Sequence, residues 1–263
     1  MISQIKALPA FDDNYIWSLW DEENKTLCVV DPGDPAPVIK LIEDEQLTLD
    51  SILITHHHPD HTGGIAELTA RYSCKVYGPH NPGIAGINER VAENDEFTLM
   101  GERVRVLEVP GHTLDHIAYV VSQNTESGAP TRLFCGDTLF AAGCGRLFEG
   151  TPAQMCSSLA KLTNLGKETL VYCTHEYTLA NLGFAAACEP GNLLTHLRTT
   201  QVNKQRENGQ ISLPTTIGLE LATNPFLRCT NQQVIDSAES FAGGALADEI
   251  ATFAAIRAWK DEF

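Results

Sequence analysis

The densest chemistry in the chain lies in Thr55-His56-His57-His58-Pro59-Asp60-His61, where four of the nine histidines fall within six residues. The apolar run Ser51–Ile54 before it reads as a buried strand, and Gly63-Gly64 after it opens a helix. The cluster therefore occupies a strand-to-helix loop, where α/β sheets gather their ligands. His56 and His58 are two apart, so in extended backbone they point the same way. Pro59 biases His58 towards that extended state. Asp60 and His61 then turn away from the first pair and could serve a second metal. Imidazole with carboxylate suits zinc, iron or manganese. A purification tag would be terminal and would hold no Pro-Asp between its histidines.

Three further segments run from a strand into a donor. Val104–Val109 leads to Pro110-Gly111-His112-Thr113, Leu133–Cys135 to Gly136-Asp137-Thr138, and Leu170–Cys173 to Thr174-His175-Glu176-Tyr177. Any one of these is as readily a cap or turn residue, but four such loops in one chain form a pattern. Seven donors result: His56, His58, Asp60, His61, His112, Asp137 and His175. With Asp137 bridging, His56, His58, His112 and Asp137 would hold one ion and Asp60, His61, His175 and Asp137 another. The other histidines read as structural: His57 facing away, His80 and His196 on the surface or in packing, His116 in packing. Glu176, one residue beyond His175, is expected to point away from the donors.

The elements that must position these donors are short β-rich runs over residues 1–175. They are Tyr15–Trp20, Leu27–Asp31, Ser51–Thr55, Lys75–Tyr77, Val104–Pro110, His116–Val121, Arg132–Cys135 and Thr169–Cys173, several bounded by Gly, Pro or Asp. Two helices interrupt them, Gly64–Arg71 and one framed by Thr151 as N-cap, Pro152 and Gly166. In the latter, Met155, Leu159 and Leu162 form an apolar stripe. Strands with interspersed helices read as α/β layers. Beyond about residue 175 strands become scarce, and Asn192–Asn208 and Asp236–Ala258 read as helices, the second broken or kinked at Gly243-Gly244. The expected division is a larger α/β domain, 1–174, and a smaller helical one, 175–263.

Of 263 residues 43% are hydrophobic and 20% charged, which is ordinary globular usage and excludes wholesale disorder. A formal net charge of -16 argues against a nucleic-acid binder and against docking on anionic lipid. The first residues carry no basic segment followed by an apolar run, and no stretch approaches the ~18 apolar residues of a membrane helix. The eight cysteines include no C-x-x-C pair and read as reduced, mostly buried thiols. The expectation is a cytoplasmic protein.

T-H-x-H-x-D-H-x-G-G, with P-G-H-T and G-D-T, resembles the metallo-β-lactamase superfamily. Asp13-Asn14-Tyr15, Gly136-Asp137-Thr138-Leu139-Phe140, Gly143-Cys144-Gly145-Arg146, His175-Glu176-Tyr177-Thr178 and Asn224-Pro225-Phe226 bring the resemblance closer to glyoxalase II, the hydroxyacylglutathione hydrolases, over essentially the whole chain. The resemblance implies an αββα sandwich followed by a helical C-terminal domain. It also implies hydrolysis of S-D-lactoylglutathione to D-lactate and glutathione by a monomer, with two divalent ions per chain. Zinc is the foremost choice, with iron and manganese admitted by the same donors. A hydroxide bridging the ions would attack the thioester, with Asp60 and Asp137 as the catalytic carboxylates. Positions matching the glutathione contacts are Arg146, Tyr177, Arg257 and Lys260. By spacing alone Arg257 and Lys260, three apart, read more readily as a solvated helix end whose cations favour the dipole, and it is the resemblance that reverses this. Phe148 stands where some relatives carry Tyr, so a hydroxyl contact to the tripeptide would be missing.

Rival readings on this scaffold are a mononuclear iron persulfide dioxygenase, which would need only His56, His112 and Asp137, a β-lactamase, a nuclease and a non-catalytic metal binder. Retention of Asp60, His61 and His175 argues for two metals and hydrolysis. The helical tail with its Arg/Lys pair has no use in a β-lactamase, the charge opposes a nuclease, and a metal binder would tolerate the loss of ligands.

Overall fold

A computed structural model describes residues 1–123 and 130–263. The chain divides into two compact units, Met1–Glu108 with Asp115–Gly136, and Val109–Leu114 with Asp137–Phe263.

The first unit contains a six-stranded sheet in the order Gln4–Ala10, Asn14–Asp21, Thr26–Val30, Thr48–Leu53, Lys75–Gly78 and Glu89–Arg90. Its first three strands form an antiparallel meander and the next three pairings are parallel. Parallel pairing requires crossovers, and helices Pro35–Glu45 and Ile65–Arg71 lie in the first two of them. The first of these helices is not among those expected from the sequence, and it opens with two prolines. Asp34 caps the amide of Ala36, Pro35 takes the tolerated first-turn position, and Gln46 closes the helix in left-handed backbone. Val38, Ile42, Ile65 and Leu68 of these helices pack with Leu27, Val29 and Ile52 of the sheet, and with Ile54 just beyond it, in one buried cluster. Four antiparallel strands of the same unit, Glu96–Leu99, Glu102–Glu108, Ile117–Ser122 and Arg132–Gly136, form a second layer. The layers meet through Tyr77 stacked on Phe97 at 4.0 Å and the buried Tyr119, whose hydroxyl donates to the Ile54 carbonyl at 2.8 Å. Burial pushes the Tyr119 phenol well above its usual range, so it stays a donor.

The second unit carries a tight hairpin, Leu139–Phe140 with Gly143–Cys144, and an antiparallel pair, Leu170–Cys173 with Thr215–Thr216. Its helices are Pro152–Thr163, Thr178–Cys188, Leu193–Glu207, Ile217–Thr223, Gln232–Ala242 and Glu249–Glu262. Thr151 and Gln154 close a capping box on the first of them, and Asn192 caps the helix Leu193–Glu207. The break or kink expected at Gly243-Gly244 within Asp236–Ala258 is a full break: Gly243 adopts φ +76° and ends one helix, and Asp248 caps the next. Phe184, Phe226 and Phe253 form the buried aromatic core of this end, with Trp259 and the exposed Phe263 set edge-on against Phe184.

Among the described residues no helix is long and apolar enough to cross a membrane. None of the eight cysteines is in a disulfide, and six of them are buried. Burial holds the Cys28 and Cys173 thiols at about 12, far from thiolate formation at neutral pH.

Candidate metal centre

In the first unit the strand Thr48–Leu53 delivers the histidine loop, and the loop is seated by absent side chains. A Cβ on Gly33 would stand 1.8 Å from the carbonyl oxygen of Asp60, and one on Gly64 would stand 2.3 Å from the carbonyl oxygen of Pro32. The backbone around Asp60 thus lies directly on the Pro32-Gly33 turn. His58 is extended at φ −60° and ψ 145°, and Pro59 begins a single helical turn, Pro59–Thr62, that swings Asp60 and His61 round.

A hydrogen bond at His56 and an ion-pair contact at His61 set which imidazole nitrogen faces inward. The Thr55 hydroxyl donates to Asp31 Oδ2 at 2.7 Å, so its oxygen serves as acceptor for His56 Nδ1 at 3.0 Å. His61 Nδ1 lies 3.0 Å from the same Asp31 oxygen. With Nδ1 of each ring protonated towards these acceptors, Nε2 keeps a lone pair for a cation. His56 Nε2 faces His58 Nδ1 at 3.0 Å, and His61 Nε2 faces Asp60 Oδ2 at 3.4 Å. Asn14 donates to that same Asp60 oxygen at 3.0 Å. His57 turns to Asp115 at 2.9 Å, which in turn accepts from Asn81. His116 is buried and stacks on His56 at 4.5 Å, so its packing role also orients a donor.

In the second unit His112 Nε2 and His175 Nε2 lie 3.5 and 3.4 Å from one oxygen of Asp137, Oδ2. His112 Nδ1 donates to the carbonyl of Arg146 at 2.7 Å, which again leaves Nε2 for coordination. The approach is so close that a Cβ on Gly145 would fall 2.0 Å from the Asp137 carbonyl oxygen. His175 stacks on Tyr177 with centroids 4.7 Å apart, and Phe140 meets both rings edge-on.

These spacings fit a metal. Donor atoms about 2.1 Å from a tetrahedral ion stand about 3.4 Å apart. His112, His175 and Asp137, and likewise Asp60 and His61, have that separation, which is too long for a good hydrogen bond. Buried imidazoles and carboxylates with their outer nitrogens already committed suit divalent ions.

The four cationic or aromatic candidates for substrate are all in the second unit. Arg146 Nε and Arg257 Nη2 share one carboxylate oxygen of Asp261, at 3.1 and 2.9 Å. Arg257 is buried, donates to the Cys144 carbonyl at 2.9 Å and covers the Phe226 ring. Lys260 lies over Phe184 and Phe263, and burial holds its ammonium below the usual lysine range. Tyr177 is partly exposed, and Phe148 packs its ring against His112 at 5.2 Å. Glu176 points away from the donors and accepts from the amide of Ser212 at 2.8 Å. Asp31 is not among the donors picked out in the sequence, although Val30-Asp31 repeats the strand-then-carboxylate signal of the other loops.

Residues 14–175 match the metallo-beta-lactamase superfamily, and residues 176–263 match the hydroxyacylglutathione hydrolase C-terminus. A hydroxyacylglutathione hydrolase of Pseudomonas putida (strain GB-1) is 50% identical over 99% of this chain and 99% of its own. That of Photobacterium profundum is 49% identical over 98% and 99%. Among solved structures, ETHE1 from Myxococcus xanthus is similar with a TM-score of 0.64 and 25% identity, over 98% of each chain. The fold is thus the metallo-β-lactamase fold with a helical C-terminal region, and its histidine and aspartate clusters are suited to divalent metal ions. The chain belongs to the hydroxyacylglutathione hydrolase family of the metallo-beta-lactamase superfamily.

Proposed function

We propose that the chain hydrolyses S-(2-hydroxyacyl)glutathione, chiefly S-D-lactoylglutathione, to the hydroxy acid and glutathione. The observation that carries this is a set of imidazoles whose outer nitrogens are committed to Asp31, Thr55 and Arg146, in a chain half identical to hydroxyacylglutathione hydrolases over its length. His56, His58, His112 and Asp137 hold one divalent ion; Asp60, His61, His175 and Asp137 hold the second. Zinc suits this donor set, and iron and manganese use the same ligands. When bound, such ions lower the pKa of water and neutralise charge developing on a carbonyl oxygen.

The protein's own groups do the rest. Asp137 offers one oxygen to both His112 and His175 and so ties the two ion sites together. Asp60, held through one oxygen by Asn14, orients the attacking water with its carboxylate. The leaving group is a thiolate whose parent thiol titrates near 8.5, so departure needs no strong general acid. Arg146, Tyr177, Arg257 and Lys260 receive the tripeptide, the cations answering its carboxylates. Residues 1–174 form the catalytic domain and 175–263 the substrate-binding one, in a cytoplasmic monomer that needs neither nucleic acid nor membrane.

The test is thioester absorbance followed with S-D-lactoylglutathione, with and without chelator. Turnover that chelation abolishes and Zn²⁺ restores is the expected result. A metal-replete enzyme that leaves the thioester intact would sink the reading.

A further inference from the structure

The Asn224-Pro225-Phe226 motif takes no part in the chemistry above, yet it lies in a densely bonded polar cluster of the second unit. Glu220 is fully buried, and its carboxylate accepts from four donors. Oε1 receives Arg198 Nη2 and the Thr215 hydroxyl, each at 2.7 Å. Oε2 receives the backbone amide of Ala142 at 2.7 Å and Asn224 Nδ2 at 3.0 Å. Arg198, itself buried, also donates to the Thr223 hydroxyl at 2.6 Å.

All of this converges on one tight turn. Ala142 sits at its tip with φ +56°, a left-handed conformation that costs a non-glycine residue about 1–2 kcal/mol. Glu220 holds its amide. Asn224 donates to the carbonyls of Phe140 and Gly143 at 3.3 and 2.9 Å, and Asn181 donates to that of Ala141 at 3.0 Å. Asn181 also fills the space a side chain on Gly143 would take. The backbone of the turn is therefore gripped on every residue by a side chain of the helical region. The hairpin so held follows Asp137 closely in the chain and leads directly into Gly145-Arg146. The Arg146 carbonyl sets the His112 ring, and Phe140 packs on His175.

We infer that Glu220, with Arg198, Asn224 and Asn181, is a positioning assembly that holds the Leu139–Cys144 hairpin so that Asp137, His112 and His175 meet a metal ion in the right geometry. The inference rests on the metal-site reading but not on the substrate. It gives the helical region a second role, in which residues that touch neither metal nor substrate shape metal affinity. Such supporting contacts change affinity by roughly 10–100-fold.

The experiment measures Zn²⁺ affinity of the full-length protein by competition with a chromophoric chelator, beside circular dichroism and thermal unfolding. Glu220→Gln keeps the shape but cannot accept from all four donors, and it is expected to weaken Zn²⁺ binding roughly tenfold or more while remaining folded at 25 °C. Asn181→Ser removes one grip on the turn and is expected to weaken binding by a smaller factor, which decides the matter if Glu220→Gln does not fold. Glu189→Gln is the control, because Glu189 pairs with Arg228 at 2.7 Å in the same unit, away from the hairpin turn. Wild-type Zn²⁺ affinity in the folded Glu220→Gln and Asn181→Ser proteins, or an equal loss in the control, overturns the inference. A wild-type protein that binds Zn²⁺ but leaves lactoylglutathione intact would instead overturn the proposed function and leave this readout unaffected.

Discussion

In the first unit four donors come from one stretch, His56 to His61, and lie on a turn that glycines allow to approach. In the second unit His112, Asp137 and His175 come from three separate loops, and side chains of a distant helical region hold the hairpin beside them. The first set is built by local backbone geometry with one carboxylate, Asp31, behind it. The second is built by tertiary hydrogen bonding. Local construction resists the loss of any one distant contact but tolerates no change in backbone fit. Tertiary construction reverses both sensitivities, and the two can be separated by substitution.

The largest effect is expected at Asp137, the residue through which the second set coheres. Asp137→Ala removes the oxygen that faces both His112 and His175. Loss of metal would forfeit several kcal/mol of transition-state stabilisation, or roughly a thousandfold or more in rate. Metal analysis and thioester turnover should fall together. A variant that keeps two ions per chain and near-normal turnover would show that Asp137 is not the common ligand.

Next comes the backbone seat of the first set. In Gly33→Ala the new methyl would collide with the Asp60 carbonyl at 1.8 Å, and neither partner is a flexible side chain. The main chain must move, with a stability cost of about 1–3 kcal/mol and a displaced Asp60. Thermal unfolding and Zn²⁺ affinity should both drop. If only stability changes, the loop is not held by this contact as described.

The contrast between the sets also explains what the sequence discloses. The histidine loop is legible because its donors, its proline and its glycines are contiguous, so periodicity and turn chemistry place them together. The second set is visible only as a recurring pattern of strand ends. What positions it is not visible at all: Glu220, Asn181 and Arg198 look in sequence like ordinary polar helix residues, and only burial reveals them as partners of a hairpin far earlier in the chain. Asp31 escapes notice for a related reason. In sequence it is only the last residue of the strand Leu27–Asp31 before Pro-Gly, and its role depends on Thr55 and His61 reaching it from beyond another strand. Helix Pro35–Glu45 is obscured by its own prolines, which sit where a helix start accepts them. The glycine pair predicts a break at Gly243, but not the two separately capped helices that result.

A smaller effect is expected at Asp31, the carboxylate behind two rings of the local set. Asp31→Asn keeps the size but replaces one acceptor by an amide. The carboxylate uses both oxygens, Oδ1 for the Thr55 amide at 2.8 Å and Oδ2 for the Thr55 hydroxyl, with His61 Nδ1 3.0 Å away. The side-chain amide has one accepting oxygen and turns a donor to the other side, so the preference for Nε2 as the coordinating nitrogen weakens. Zn²⁺ affinity should fall by roughly tenfold, with little change in unfolding temperature of the metal-free protein. No change in affinity would show that the strand ends alone orient these rings.

The smallest effect is expected at Glu189, which tests whether any ion pair of the helical region matters to metal or only the one on the hairpin. Burial pushes the Glu189 carboxyl upwards, but hydrogen bonds from Arg228 and Asn192 outweigh it and hold the group below the ordinary carboxylate value of 4.5. A carboxyl depressed in the folded state contributes stability that is full above its unfolded pKa and is lost as pH falls through the folded one. Glu189→Gln should therefore lower unfolding stability by about 1–2 kcal/mol at pH 7, and the gap to the wild type should close as pH drops below about 4.5. Taking the difference between the two proteins cancels the other titrations they share. Zn²⁺ affinity at pH 7 should be unchanged. A gap that persists at acid pH would mean that Glu189 contributes packing rather than charge. An equal loss of Zn²⁺ affinity would mean that the helical region acts on the metal donors through its general stability and not through the hairpin turn.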